Sequence, residues 1–154
     1  MPTTRTRNKT LAIWAALFGG PLGLHRLYLY GWSDMLAWIL PAISAPGLYG
    51  IWRIRTFGID DRLSWALVPL IGFAFSACAL AAIVYGLTDA RKWNQTFNPN
   101  HEPDHPAGKT NWLTVATVVL AMLLGTTALI ASIVWCMQHI FELQLANVPG
   151  ISAG

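Results

Sequence analysis

Charge is scarce in this chain, and where it falls decides what the chain can fold into. Ten Lys and Arg and seven Asp and Glu are spread over 154 residues, and they leave four apolar stretches between them. These lie between Lys9 and Arg26, from Met35 to Trp52, from Leu63 to Thr88 and from Thr110 to Phe141. A helical crossing of a bilayer needs about 20 apolar residues, so the last two stretches span without strain and the first two are marginal. Hydrophobic residues make up 55% of the chain and charged residues 11%, more apolar surface than one small soluble core can hide. Lipid is the expected solvent, and the expected fold is an all-α membrane protein.

The first stretch contains Gly19, Gly20, Pro21 and Gly23, which should break or kink it near its far end. The second carries Pro41, Pro46, Gly47 and Gly50. Together they read as a short, Gly/Pro-broken helical hairpin, followed by two longer antiparallel transmembrane helices. The expected organisation is a basic tail over 1–8, the membrane hairpin over 9–57, a two-helix membrane segment over 58–141 with a polar loop at 89–109, and a loose tail over 142–154. Arg5, Arg7 and Lys9 before a short apolar run mimic a secretory leader. No small-x-small cleavage site follows, so the run reads as an uncleaved membrane segment. Trp14, Trp52, Trp65, Trp112 and Trp135 fall near the ends of apolar runs, where indoles settle at headgroup level.

Small residues recur four apart in the third stretch, at Ala74, Cys78, Ala82 and Gly86, and the fourth offers Ala121, Gly125, Ala128 and Ser132. Small faces let helix backbones approach closely in lipid, so these two helices are expected to pack together. Antiparallel helices would set Cys78 and Cys136 at depths differing by roughly 15 Å at 1.5 Å per residue, too far for a disulfide. Between the two helices, Ala90 to Phe97 reads as a short interfacial helix capped by Thr88 or Asp89. The stretch from Asn98 to Gly108, with three prolines and two histidines, reads as an irregular loop.

Within that loop, His101-Glu102-Pro103-Asp104-His105 matches the metalloprotease string His-Glu-x-x-His. That chemistry needs both histidines one turn apart on a helix. Pro103 lies between them and Pro106 follows, so a catalytically silent, solvated loop is expected. Asp60, Asp61 and Arg62 beside Arg53 and Arg55 suggest an exposed loop with local charge pairing. No phosphate-binding glycine loop, nucleophile–base pair or haem-attachment motif is present, and no enzyme activity, metal or cofactor is expected. The net charge of +3 suits an anionic leaflet better than nucleic acid, which calls for a dense basic stripe.

The most distinctive feature is His25-Arg26-Leu27-Tyr28-Leu29, preceded by Gly20 and Gly23. A His–Arg pair between apolar segments is costly unless it reaches water, lipid phosphate or a partner. Here the chain resembles the TM-two domain family, a hairpin of two transmembrane helices. The residues that match its pattern are Lys9, Gly20, Gly23, His25, Arg26, Tyr28, Leu29, Gly50, Ile51 and Trp52. The departures are Leu27 where the family prefers Phe, a displaced Gly31 after Tyr30, and Arg53 and Arg55 where the family is apolar and then acidic. The resemblance covers residues 9–57, and the later half looks like a proteobacterial subgroup with two additional membrane helices. It implies membrane residence without a settled biochemical activity.

These readings converge on a non-catalytic component of a bacterial cytoplasmic membrane that binds or organises membrane proteins or lipids. The alternative is an oligomeric small transporter or channel subunit. His25, Arg26 and Tyr28 are the candidate contacts for a partner or an anionic lipid headgroup, with Gly20, Gly23, Ala74, Cys78, Ala82, Gly86 and Gly125 as helix-packing positions. Arg26 is expected to serve backbone carbonyls freed at the helix break, or a lipid phosphate. With four crossings both termini fall on one side. That side holds six of the Lys and Arg (the tail and the 53–62 loop) against Arg26, Arg91, Lys92 and Lys109 opposite, which favours cytoplasmic termini.

Overall fold

The computed structural model describes residues 6–146, and these form six α-helices and two 3₁₀ turns. Helix α1 (Lys9–Gly19) starts where the Asn8 carboxamide oxygen accepts from the Thr10 and Leu11 amides at 2.9 and 3.4 Å, satisfying donors that have no intrahelical partner. Its buried residues, Lys9, Ala12, Ile13, Ala16 and Leu17, recur at helical spacing. Ile13, Ala16 and Leu17 pack with Ala79 and Ala82 of α4 and Ala121 of α6. A 3₁₀ turn, Gly20–Leu22, follows, and Gly23 (φ +72°) turns the chain into α2 (Leu24–Tyr30). Glycine is required at position 23: the backbone is left-handed, and the space a Cβ would need is filled by the Ala37 carbonyl oxygen.

The path of α1 and α2 is fixed by their contacts. Lys9 Nζ at the start of α1 donates to the Thr88 carbonyl (2.6 Å) and Thr110 Oγ1 (2.9 Å). Gly20 then lies against Cys78, ten residues down α4, or about 15 Å deeper at 1.5 Å per residue. On the return, Tyr28 Oη accepts from the Asn8 amide (2.8 Å), and Tyr30 stands edge-on to Phe97. The hairpin enters and leaves at one end of the bundle, called the near end below.

Helix α3 (Met35–Phe57) then runs to the far end, α4 (Arg62–Leu87) returns, and α6 (Trp112–Ala146) runs to the far end again. Gly47 and Gly50 of α3 lie against Ile71 and Leu67 of α4, while Gly125 and Val118 of α6 meet Ala79 and Gly86. These pairings make both neighbours of α4 antiparallel to it. α3, α4 and the segment containing α6 are long and apolar enough to cross a membrane. Cys78 and Cys136 are both free thiols.

Three expectations change here. The second apolar stretch is not broken: α3 is continuous for 23 residues through Pro41 and Pro46, since neighbouring helices support a helix that has lost a few backbone bonds. The first stretch turns back at its break beside Cys78 and is not one of the three segments long and apolar enough to cross a membrane. The described chain begins at the near end and finishes at the far end, where His139 of α6 packs on Trp65. The expected C-terminal tail is helical as far as Ala146, and 147–154 lie outside the described residues, as do residues 1–5 of the basic tail.

Helix α5 (Ala90–Phe97) caps the near end, with the Asp89 carboxylate accepting from the Arg91 amide at 3.0 Å. Trp93 is fully buried and donates its indole N–H to the Arg7 carbonyl. Asn98 bonds Arg7 in both directions, accepting from its amide at 2.7 Å and donating to its carbonyl at 3.1 Å.

Candidate functional site

The His25–Arg26–Tyr28 segment lies on α2 at the near end, and its three side chains do different things. His25 is 2% exposed, packs against the Tyr85 ring and, among the described residues, has no hydrogen-bond partner at Nδ1. Tyr28 is half-buried and ties α2 to the start of α1 through the Asn8 amide.

Arg26 does not serve the helix break. Two of the carbonyls there are taken by backbone amides: Gly20 O accepts from Gly23, and Gly23 O accepts from Arg26 and Leu27. The guanidinium instead reaches Asp34, with Nε to Oδ2 at 2.5 Å and Nη2 to Oδ1 at 3.4 Å, and lies 4.9 Å above the Tyr30 ring. Its hydrogen bond holds the Asp34 carboxyl below the usual range. Asp34 is the residue that sequence reasoning passed over.

The far end repeats this arrangement. Arg53 grips Asp61 through Nε (2.8 Å) and Nη2 (2.7 Å) and lies 4.7 Å above the Phe57 ring. Asp61 also accepts from Ser64 and is held well below the usual carboxylate range, chiefly by Arg53. Gly31 (φ +87°) and Gly58 (φ +91°) occupy equivalent places. Trp38 donates to the Trp32 carbonyl and Trp65 to the Ile59 carbonyl, each six residues back. The string Arg-x-x-x-aromatic-Gly-x-x-Asp-x-x-x-Trp thus occurs at 26–38 and again at 53–65. The signal was present in the sequence as this recurrence.

The packing positions divide between two partners. Ala74, Cys78, Ala82 and Gly86 are all buried in α4, yet Cys78 faces Gly20 of the hairpin while Gly86 faces Val118 of α6. Gly125 meets Ala79, a residue outside that stripe. The hairpin and α6 therefore share the small face of α4.

His101 to His105 is a run of bends and turns, with the two rings 4.7 Å apart and His105 Nδ1 accepting from the Ala107 amide. Asn94 fastens this loop by donating to the Pro103 and His105 carbonyls, both at 2.9 Å. Among the described residues no group of three His, Cys, Asp or Glu side chains is placed to hold a metal ion. Comparison with protein-family models, curated proteins and solved structures finds nothing that matches this chain.

Proposed function

We propose that this chain is a non-catalytic integral membrane protein, related to the TM-two hairpin proteins, that binds or organises other membrane proteins or lipids through its near end. α3, α4 and α6 cross the membrane, and α1 and α2 form a re-entrant hairpin. The observation that carries this reading is the polarity of charge along the bundle. Among the described residues the near end holds six cations, Arg7, Lys9, Arg26, Arg91, Lys92 and Lys109, with the four carboxylates Asp34, Asp89, Glu102 and Asp104, whereas the far end holds Arg53, Arg55 and Arg62 with Asp60, Asp61 and Glu142, equal numbers of each sign. The positive-inside rule then makes the near end cytoplasmic, with α5 and its loop available to anionic lipid and to partner proteins.

The rival reading, an oligomeric transporter or channel subunit, is favoured by the backbone break at membrane depth. Such breaks are tolerated where they line water or are buried in protein. Here Gly20 and Gly23 are covered by Cys78 and Ala37 of the same chain, which supports a structural break. A photo-crosslinking residue in place of Lys92, which is exposed on α5, tests the organiser reading in intact membranes. The expected outcome is a discrete adduct that a residue placed at Leu123, on the lipid side of α6, does not form. Ion or solute flux from liposomes holding the purified protein, with no discrete adduct, would favour the rival.

A further inference from the structure

At the far end, α4 and α6 leave a cavity of about 300 Å³ lined by Arg62, Trp65, Ala66, Cys136, His139 and Ile140, among others. Its chemistry is graded. Arg62 stands at the outer end as the first residue of α4, and the walls become apolar inward past Ala66 and Cys136.

Arg62 is exposed and has no ion pair among the described residues. The turn beside it does not need this cation, because Arg53 already takes Asp61 with two donors. The equivalent place in the near-end turn is Met35, and that turn closes in the same way. Arg62 is thus a free guanidinium at the mouth of an apolar pocket.

His139 is 7% exposed and held between two indoles, with its ring centroid 4.3 Å from that of Trp65 and 4.5 Å from that of Trp135. Its Nδ1 lies 3.0 Å from the Trp135 carbonyl oxygen. A carbonyl only accepts, so Nδ1 carries the proton and Nε2 is left as a hydrogen-bonding group. Paired tryptophans beside a helix terminus mark the depth at which headgroups meet acyl chains.

We propose that this cavity binds one phospholipid with an anionic phosphodiester headgroup. The phosphate is taken by Arg62, whose planar donors suit it, and one acyl chain descends past Ala66 and Cys136. The site lies at the opposite end from the proposed partner face and does not depend on that reading.

Native mass spectrometry of the full-length protein in mild detergent, with added phosphatidylglycerol or phosphatidylcholine, tests this. The wild type should retain one phosphatidylglycerol in preference to phosphatidylcholine, by about tenfold for a charge-assisted contact. Arg62→Gln should abolish the preference and Arg62→Lys should keep part of it. Ala66→Trp fills the apolar end without changing charge and should expel the lipid. Should Arg62→Gln lose helix content, Ala66→Trp at its exposed position decides. Equal retention of both lipids by the wild type, survival of the preference in either Arg62→Gln or Ala66→Trp, or displacement of the lipid by inorganic phosphate alone would overturn the proposal.

Discussion

Arg26 and Arg53 close turns at opposite ends of the bundle with one chemistry. Each reaches a carboxylate eight residues on, at the position that precedes the next helix, and each lies over an aromatic ring four residues before that carboxylate. An arginine fork satisfies a carboxylate with two parallel donors and keeps its charge at any working pH. Asp34 and Asp61 are both held below the ordinary carboxylate range. Such depressed groups favour the folded state above the unfolded pKa of about 4, and that contribution disappears as pH falls through the lower folded value. The melting temperature of the solubilised protein should therefore be flat from neutral pH to about 5 and fall below about 4. Asp34→Asn should lower it at neutral pH and reduce the acid-induced drop. An undiminished drop in the Asp34→Asn/Asp61→Asn double variant would place the titration elsewhere. The charge pairing expected beside Asp60 and Asp61 was legible because charges of both signs crowd the stretch from Arg53 to Arg62. The Arg26 partner stands at the same spacing of eight, but it is a lone carboxylate between apolar stretches and is legible only from the recurrence of the two turns.

Among the elements, α5 is the one most completely written in its own residues. Asp89 caps it, its expected limits of Ala90 and Phe97 are those observed, and no distant packing is needed to explain either end. α3 is the opposite case. Two prolines and two glycines argue locally for a break, yet Gly47 and Gly50 admit α4 at backbone distance, and that packing keeps the helix whole. α1 combines both: its break is local, while its course depends on α4 and α6. The clamp between α5 and the start of the chain gives a direct test. Asn98→Ala removes both side-chain bonds to the Arg7 backbone, so the Arg7 amide should lose most of its hydrogen-exchange protection while amides in the middle of α4 keep theirs. Unchanged protection at Arg7 would mean that Trp93 holds the segment alone.

For the whole molecule, the proposed re-entrant hairpin would change the number of crossings from the four expected to three. This reassigns the 53–62 cations to the far end and collects those of the tail, α2 and the 89–109 segment at the near end, so the charge asymmetry is larger than four crossings would give. In a variant lacking Cys78 and Cys136, a cysteine replacing Glu142 should react with an impermeant thiol reagent from outside intact cells. Cysteines replacing Thr6 or Asn100 should react only after permeabilisation. Reaction of the Thr6 and Glu142 positions from the same side would restore four crossings.

What the sequence by itself determined is what neighbouring residues can enforce: the apolar segments that seek lipid, the chain break at Gly19–Gly23, the capped α5, and a histidine string that prolines keep out of a helix. Each rests on interactions within about one helical turn. The tertiary structure decided where the chain goes after each break. α1 is held by Lys9 at the ends of α4 and α6 and by Gly20 against Cys78, contacts between residues nearly 60 to about 100 positions apart. Whether an apolar segment of marginal length crosses or turns back depends on whether a groove exists to bury its polar break. That groove is built by α3 and α4, which come later in the chain.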